Sequence, residues 1–540
     1  MDKLLLITLA FAAYFLTFSL GFVTSDPKIS CSQTPYPQVC SHFINTDTLS
    51  TTLDETTTSS NFHDMALRVT MNQAIEAHHL LVSAMQLNEL NEQAKLAWHD
   101  CVELYEDTVH KLNRSIISSN NPNDHLTWLS ASIANQHTCK NGFFDFNIPH
   151  HLNSFPIMLS NFSKLLSNSL AITKTVSSSS SSAVIERKQI GGRRLLSGGH
   201  NDFPKWLSAA DRRLLQAVEP ASKADIVVAQ DESGDYKTIS EAVAAAAKLS
   251  SGGNRRVVIH LKAGVYNENV EIKKTVTNLM IFGDGIDATV VRGSKNVQDG
   301  STTFRSATFA VSGNGFVARD ITFENTAGPQ KEQAVALRSS SDHSVFYRCS
   351  FKGYQDTLYV HSQRQFYRDC DIYGTVDFIC GDAVAVLQNC NIYIRKPMTG
   401  QKNTVTAQER TDPNENTGII IHSSRITVSE DLKPVQNLFK TYLGRPWKKY
   451  ARTVIMKSDL DGVVDPAGWS PWDADTTTLS TVYYGEFMNT GIGADTKGRV
   501  KWPGYHVIKS VTEAGQFTVG NFLDGGSWIP GTGVPFDDGL

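Results

Sequence analysis

A chain of 540 residues is too long for one ordinary hydrophobic core, so two or more domains are expected. Its composition, with 41% apolar and 19% charged residues, is that of a globular protein, and a formal net charge of −4 provides no basic field for nucleic acid. A polyanionic partner would have to be held by local charge.

The first 25 residues are typical of a secretory signal. Met1-Asp-Lys3 precedes a nearly uncharged apolar run, Leu4–Val23, and Thr24-Ser25 follow. The apolar run is also long enough to anchor a helix in a membrane, so a retained anchor stays an alternative. Either route delivers the rest of the chain to the lumenal side, and the sequons at Asn113 and Asn161 are candidate glycosylation sites there.

Residues 26–172 are predicted to be helical, because apolar residues recur at helical intervals, as in Leu80-Leu81, Leu87 and Leu96-Ala-Trp98. Pro122 is expected to precede a helix at Leu126–Gln136. An antiparallel four-helix bundle stapled by two disulfides is the expected fold. Half of the eight cysteines lie in this part: Cys31, Cys40, Cys101 and Cys139.

Residues 173–215 are predicted to be a linker. Its six serines, Ser177–Ser182, cannot bury enough apolar surface to order themselves. The tetrapeptides Arg193-Arg-Leu-Leu196 and Arg212-Arg-Leu-Leu215 are identical. They are either basic loop patches or processing sites, and the sequence favours cleavage by a protease near Leu215.

Residues 216–540 change to short β-branched and aromatic runs, with one early helix expected at Thr238–Lys248. Four segments are related, and their last residues advance by 29, 21 and 20: Phe316-Val-Ala-Arg-Asp320, Val345-Phe-Tyr-Arg-Cys349, Phe366-Tyr-Arg-Asp-Cys370 and Val386-Leu-Gln-Asn-Cys390. This period is too short for a strand-helix-strand crossover at each step, and it indicates stacked β-coils. The sequence therefore predicts an all-β, right-handed parallel β-helix.

The same period places polar residues on one face of the stack. Asp356 and Asp377 are 21 residues apart, and Gln333 precedes Gln355 by 22. In stacked coils such residues lie about 4.8 Å apart, so a carboxylate pair flanked by amide donors is expected. This arrangement suits acyl transfer, with a nucleophile, an acid and donors to an oxyanion. A purely structural polar ladder is the alternative.

Cys349, Cys370 and Cys390 occupy equivalent positions on consecutive coils. We expect a Cys370–Cys390 disulfide, although Cys349–Cys370 is geometrically similar. Metal binding is the weaker interpretation because no Cys-x-x-Cys spacing occurs, and Cys380 is a candidate free thiol. No metal and no cofactor are implied, since no histidine-rich metal spacing or glycine-rich phosphate loop is present.

Several strings together resemble the plant pectin methylesterases, or pectinesterases. They occur in that family's order: Gly264-Val-Tyr-Asn-Glu268, Gln333-Ala-Val-Ala-Leu-Arg338, Gly353-Tyr-Gln-Asp-Thr-Leu358, Gly374-Thr-Val-Asp-Phe-Ile379, Leu443-Gly-Arg-Pro-Trp447 and Trp528-Ile-Pro-Gly-Thr-Gly-Val-Pro535. The N-terminal part, with Cys31/Cys40 and Cys101/Cys139 as pairs, resembles the pectin methylesterase inhibitor domain on fewer features. The whole chain resembles a pro-enzyme.

The resemblance implies that the chain hydrolyses C6 methyl esters of galacturonate units in cell-wall pectin. Asp377 would be the nucleophile, and Asp356 the acid that protonates methanol and then the base that activates water. Gln355 and Gln333 would donate to the oxyanion. Arg445 would keep Asp377 ionised and oriented.

The resemblance further implies that Trp447 stacks on a sugar ring and that Thr303 contacts the polymer. Methyl-esterified homogalacturonan is the expected partner, in the cell wall or apoplast, for a monomeric enzyme. Separate inhibitor proteins are possible further partners, and the N-terminal domain is expected to inhibit the enzyme or to assist its folding until removed.

The chain departs from the family after Asp377. Phe-Gly-Asn or Phe-Gly-Arg usually follows Asp-Phe-Ile, whereas this chain has Cys380-Gly-Asp382. Loss of the phenylalanine removes aromatic surface, and the charge of Asp382 is expected to raise the pKa of the catalytic pair.

Two other functions compete with the esterase. A polysaccharide lyase or glycoside hydrolase could use the same fold, since carboxylates near 5 Å suit a retaining glycosidase. Alternatively, the N-terminal bundle could be an inhibitor of other esterases attached to a feeble enzyme. Methanol release without chain shortening would distinguish the esterase from the first of these.

Overall fold

The computed structural model describes residues 30–48, 59–87, 90–117, 121–154, 157–188, 224–250, 255–473 and 476–540. The expected signal or anchor in residues 1–25 lies outside these ranges, as do both Arg-Arg-Leu-Leu tetrapeptides. Within these ranges, no helix combines the length and the apolar character that a membrane crossing requires.

The N-terminal part is all helical, as the apolar spacing predicts. Its helices are α1 (Pro37–Thr48), α2 (Ser59–Leu87), α3 (Glu92–Ile117), α4 (Pro122–Asp145) and α5 (Ile157–Lys188). The long helices α2 to α5 pack around Trp98, Tyr105, Phe143 and Phe162, and the last two rings contact the first two. Cys31–Cys40 and Cys101–Cys139 are disulfides, which confirms both expected pairs.

Two helix boundaries differ from the sequence prediction. Helix α4 begins at Pro122 because the side chain of Asn121 accepts a hydrogen bond from the Asn123 N–H and caps it. Helix α5 continues through all six serines to Lys188, so the prediction that this serine run does not order itself is wrong. Serine is only moderately unfavourable in a helix, and each added residue gains a hydrogen bond once packing has nucleated the helix.

The C-terminal part is a parallel β-helix with one N-terminal helix, α6 (Ile239–Ser250), close to the predicted Thr238–Lys248. Three short helices, α7 (Val511–Gly515), α8 (Val519–Phe522) and α9 (Gly525–Trp528), follow the last strand. Its strands are β1 (Ile226–Val228), β2 (Val257–Leu261), β3 (Gly264–Asn267), β4 (Val270–Ile272), β5 (Leu279–Gly283), β6 (Thr289–Gly293), β7 (Phe309–Val311), β8 (Val317–Arg319), β9 (Thr322–Asn325), β10 (Leu337–Ser339), β11 (Ser344–Tyr347), β12 (Ser350–Lys352), β13 (Leu358–Val360), β14 (Arg364–Arg368), β15 (Asp371–Gly374), β16 (Ile379–Gly381), β17 (Val384–Gln388), β18 (Asn391–Ile394), β19 (Asn403–Gln408), β20 (Gly418–His422), β21 (Arg425–Val428), β22 (Thr441–Gly444), β23 (Arg452–Met456), β24 (Asp459–Leu460), β25 (Tyr483–Phe487) and β26 (Tyr505–Val507).

These strands form three parallel sheets, and a typical coil contributes one strand to each. In the described residues, sheet A has the order β1-β2-β5-β8-β11-β14-β17-β20-β23-β25-β26, sheet B β3-β6-β9-β12-β15-β18-β21-β24, and sheet C β4-β7-β10-β13-β16-β19-β22. Side chains of one coil stack on those of the next inside the helix, as the rings of Phe346 and Tyr367 do at 4.9 Å. The predicted β-helix is therefore confirmed.

The repeat predicted from sequence is correct except for a shift of one residue in its first unit. Val345 lies opposite Phe366, as expected, but its other neighbour is Val317 rather than Phe316. Consequently Asp320 corresponds to Arg348, and both adopt a positive φ at the same corner of the coil. In the corrected register the fourth residue of every unit is a left-handed turn residue: Asp320, Arg348, Asp369 and Asn389.

The expected Cys370–Cys390 disulfide is wrong. Cys349, Cys370, Cys380 and Cys390 are all free and buried. Stacked residues project in the same direction, into the core, and the thiols of Cys370 and Cys390 donate to backbone carbonyls of Phe346 and Tyr367 instead of bonding each other. A suitable distance between coils was therefore not sufficient for a disulfide.

The helical bundle packs directly on sheet C. One apolar cluster contains Trp98, Phe143 and Phe162 of the bundle together with Tyr359 and Ala407 of the sheet. Ion pairs also join the two parts, among them Arg364 with Asp124 of the bundle at 2.6 Å. The bundle thus covers the outer face of one β-helix sheet.

A thiol titration tests the cysteine assignment. Under denaturing, non-reducing conditions the protein should expose four reactive thiols, because four cysteines are free and four form disulfides. A count of two with a thiol reagent would show that a disulfide forms within the β-helix. The same titration after reduction, which should give eight, is the control.

Candidate active site

Parallel pairing places Asp356 and Asp377 on neighbouring coils. Strands β13 and β16 are paired with Leu358 opposite Ile379, so the aspartates two residues earlier are in the same register. Gln333 and Gln355 form a parallel bridge, which joins the preceding coil to this row. The polar ladder expected from sequence is thus assembled at steps of about 4.8 Å.

A left-handed turn presents each carboxylate. Asp356 has a φ of 59° and Asp377 a φ of 50°, a region that aspartate tolerates better than most residues. The turn before Asp377 needs Gly374, because a Cβ there would lie 2.2 Å from Cβ of Phe378. These turns direct both carboxylates out of the β-helix towards the bundle, beneath which they are 7% and 3% exposed.

Asp377 is fixed by two side chains. Arg445 donates from Nε to Oδ1 at 2.8 Å and from Nη2 to Oδ2 at 2.5 Å. The Thr404 hydroxyl donates to Oδ1 at 2.6 Å and accepts the Asp377 N–H at 2.9 Å. Charge-assisted donors of this kind suit an ionised carboxylate and allow it little rotation.

Among the described residues Asp356 has no such donors, and its environment favours the neutral form. Burial raises its pKa well above the ordinary value, and the negative charges of Asp377 and Asp145 raise it further, while Arg445 opposes them. The pair therefore combines a carboxyl group held by cationic and hydroxyl donors with one, a single coil away, whose environment favours the neutral form.

Both aspartates lie in a cleft of about 470 Å³. All seven catalytic and substrate-binding candidates line this cleft: Thr303, Gln333, Gln355, Asp356, Asp377, Arg445 and Trp447. The Trp447 ring stacks with that of Trp472 at 6.3 Å, and the Arg445 guanidinium lies 4.1 Å above Trp472. Sequence reasoning missed Trp472 and Thr404, because each lies 25 residues beyond the nearest recognised string, which ends at Trp447 and at Ile379 respectively.

The bundle also lines the cleft, which the sequence analysis did not foresee. Asn141, Phe144 and Asp145 at the end of α4 face it. The Asp145 carboxylate accepts the Thr303 N–H at 2.8 Å, and Asn141 donates to Glu409 at 2.6 Å. Burial raises the pKa values of both Asp145 and Glu409 to about 7.

Cys380 and Asp382 differ in position. Cys380 lines the cleft and lies opposite Tyr359 of β13. Asp382 instead accepts from Gln408 at 2.9 Å and from Thr417 at 2.5 Å. It is not among the main groups that shift the pKa of Asp356, so the expectation that its charge acts chiefly on the catalytic pair is not supported.

No metal site accompanies these residues: the described ranges contain no group of three or more histidine, cysteine, aspartate or glutamate side chains placed to hold an ion.

Comparison with known proteins places this chain in a family. Residues 225–526 match the family described as Pectinesterase, and residues 25–172 match Plant invertase/pectin methylesterase inhibitor. The chain is 54% identical to Probable pectinesterase/pectinesterase inhibitor 6 of Arabidopsis thaliana, over 97% of this chain and 96% of the relative. It is 49% identical to Pectinesterase 2 of Citrus sinensis, over 99% of each.

Among solved structures, a pectin methylesterase from carrot is 60% identical, with a TM-score of 0.58. The match covers 59% of this chain but 98% of the carrot chain. The solved carrot chain therefore corresponds almost entirely to the β-helix part of this chain.

The pKa of Asp356 provides a test of the site's electrostatics. Asp377→Asn should lower it, because the neighbouring negative charge is removed, although burial should still hold it above the ordinary value. Infrared titration of the carboxyl band that Asp356→Asn abolishes would measure this shift. Asp382→Asn is the matched control, and an equally large shift in that variant would contradict the assignment.

Proposed function

Because the chain belongs to the pectinesterase family and is a pectin methylesterase with an inhibitor-family domain, we propose that Asp377 and Asp356 perform its ester hydrolysis. The observation that carries this proposal is the unequal environment of two carboxyl groups on adjacent coils. Arg445 and Thr404 hold one as a carboxylate, and burial keeps the other protonated.

In the first step, an Asp377 oxygen attacks the C6 carbonyl carbon of a methyl-esterified galacturonate. Negative charge develops on the carbonyl oxygen, where the amides of Gln355 and Gln333 can donate hydrogen bonds. The C–O bond to methoxide breaks as Asp356 gives up its proton, and methanol leaves.

In the second step, water hydrolyses the resulting acyl-Asp377 anhydride. Asp356, now a carboxylate, takes one proton from water as its oxygen attacks the acyl carbon. The acyl–oxygen bond to Asp377 breaks, which restores its carboxylate and releases galacturonate as the free acid. Asp356 ends protonated, so the cycle is complete without a cofactor.

Substitution of the nucleophile tests this mechanism. In residues 216–540, Asp377→Asn should reduce methanol release from methylated pectin by roughly a thousandfold or more, because an amide cannot form the anhydride. Asp382→Asn, which lies outside the cleft, should stay within a few-fold of the parent. Methanol release that survives Asp377→Asn would overturn the assignment of the nucleophile.

We also infer that the enzyme acts in the plant cell wall after secretion. Asn113 is exposed on α3 and Asn161 partly exposed on α5, which supports both as glycosylation sites. We further propose that the domains span residues 26–172 and 216–540, that a protease cleaves the chain near Leu215, and that the enzyme is a monomer. A separate inhibitor protein of the same family would compete with the chain's own bundle for sheet C.

We infer next that the bundle inhibits its own enzyme by filling the cleft. Thr138, Asn141 and Asp145 recur at helical intervals on α4 and all contact the β-helix. The Thr138 hydroxyl lies 2.9 Å from Nε2 of His361 and 3.2 Å from the hydroxyl of Tyr359. A sugar chain on Trp447 and Thr303 would have to occupy the volume that α4 occupies here.

The occlusion predicts an inactive uncleaved chain. With both Arg-Arg pairs changed to Gln-Gln, the full chain should release far less methanol than residues 216–540. Adding Thr138→Trp should restore activity, because an indole cannot fit between α4 and the rings of Tyr359 and His361. Thr138→Ser, which keeps the hydroxyl, should remain inactive. An uncleavable chain as active as residues 216–540 would contradict autoinhibition.

A further inference from the structure

The two aspartates of the proposed mechanism differ in what fixes them. Arg445 and Thr404 hold the Asp377 carboxylate directly, whereas among the described residues no such donor reaches Asp356. The placement of Asp356 therefore depends on the backbone that carries it. Residues 353–356 are here called the acid turn, and residues 374–377 the nucleophile turn.

The two turns are equivalent positions on neighbouring coils. Lys352 at the end of β12 lies opposite Tyr373 of β15, so the next residues, Gly353 and Gly374, begin the two turns in register. A Cβ on Gly353 would lie 2.7 Å from Oγ1 of Thr357, so the acid turn is closely packed, as the nucleophile turn is. The spacing between the turns therefore sets the spacing between the carboxyl groups.

Arg395 reaches both turns from a third coil. It follows β18, whose last residue, Ile394, lies opposite Gly374. Its main-chain N–H donates to the Gly374 carbonyl at 2.8 Å. Its side chain extends one coil further, where Nη1 donates to the Gly353 carbonyl at 3.0 Å. One residue is thus hydrogen-bonded to the first residue of each turn.

Tyr354 gives the guanidinium a second attachment on the acid turn. Nη2 of Arg395 donates to the Tyr354 hydroxyl at 2.6 Å, and the guanidinium carbon lies 3.8 Å from the centre of the Tyr354 ring. A planar guanidinium combines directed hydrogen bonds with stacking, which an ammonium group does less well. Gln355 and Asp356 follow directly, so movement of Tyr354 would displace both the proposed oxyanion donor and the proposed acid.

Arg395 acts from outside the cleft. Of the residues that the structure describes, those that line the cleft do not include Arg395 or Tyr354. The ion-pair contact of Arg395 is with Asp431, whose Oδ2 lies 3.6 Å from Nε. Its bonds to the two turns therefore serve the position of the turns rather than contact with a substrate in the cleft.

We propose that Arg395 is a positioning residue, which holds the acid turn at the spacing from the nucleophile turn that catalysis requires. The inference rests on the proposed function, because it concerns Asp356 and Asp377 as acid and nucleophile. The turns lie between the paired strands, where isolated backbone hydrogen bonds, such as the one from Thr375 N–H to the Tyr354 carbonyl at 2.8 Å, carry the register. A misplacement of about 1 Å there can cost about a hundredfold in rate.

Steady-state kinetics test this role in residues 216–540, the part that corresponds to the solved carrot chain. In Arg395→Gln, kcat for methanol release should fall roughly ten- to a hundredfold, because the acid turn can move. KM should stay within about threefold of the parent, because the lining of the cleft is retained. Arg395→Lys keeps the charge and can still donate to the Gly353 carbonyl, so its kcat should fall less.

Arg425→Gln is the matched control. Arg425 belongs to β21, the next strand of sheet B after β18, and its Nε lies 3.6 Å from Asp459, as that of Arg395 does from Asp431. This variant removes an arginine–carboxylate pair of the same sheet at a position outside both turns. Its kcat should stay within about twofold of the parent.

The pKa of Asp356 distinguishes positioning from a general loss of stability. Movement of the acid turn takes Asp356 away from the negative charge of Asp377, which raises its pKa, so this pKa should fall in Arg395→Gln. Loss of the positive charge of Arg395 alone would raise it. Infrared titration of the carboxyl band that Asp356→Asn abolishes measures the direction. A role confined to stability would lower Tm without lowering this pKa.

The outcomes separate this inference from the proposed function. If the parent releases no methanol, the proposed function fails. If the parent is active but Arg395→Gln slows no more than Arg425→Gln, or leaves the pKa of Asp356 unchanged or raised, Arg395 does not position the acid turn. A kcat lower in Arg395→Lys than in Arg395→Gln would also overturn the inference.

Discussion

The register of neighbouring coils is the constraint on which the rest of the site depends. In a parallel β-helix, residues at the same place in successive coils are held one strand spacing apart by backbone hydrogen bonds. Asp356 and Asp377 meet because Leu358 lies opposite Ile379, not because the carboxyl groups attract each other. Two like charges so close are unfavourable, and only the backbone keeps them together.

The surrounding side chains give the two neighbouring carboxyl groups different environments, so that they can take different roles in a reaction. Arg445 and Thr404 surround one carboxylate with donors, whereas at Asp356 burial and negative neighbours outweigh the positive charge of Arg445 and raise the pKa. Proximity to a fixed anion is itself a reason for Asp356 to keep its proton. Nucleophile and acid thus arise from the same residue type, and their difference comes from the strands and loops that reach each one.

The repeat made most of the β-helix and the ladder predictable, because a short period leaves few alternatives to stacked coils. Contacts between distant segments could not be predicted. Asp145 of α4 binds Thr303, which comes 158 residues later in the sequence, and Thr404 binds Asp377, which comes 27 residues earlier. Asp382 was expected to act on the catalytic pair because it is close to Asp377 in the sequence, and this expectation is not supported. Five residues of extended chain span up to about 17 Å, so nearness in sequence did not imply contact with the pair. The predicted Cys370–Cys390 disulfide was wrong because the spacing of cysteines in the sequence does not fix the direction of their side chains.

The three-sheet winding also governs how such a chain can change in length. The last strands of sheet C begin at Ile379, Asn403 and Thr441, so the connections between successive coils differ widely in length while the strands remain paired. Residues inserted at a corner lengthen a loop that lies outside the stacked strands. One residue gained inside a strand would instead exchange the inward and outward faces of everything that follows in that strand. Insertions and deletions in this lineage should therefore accumulate at the corners and avoid the short stretches that carry the carboxylates.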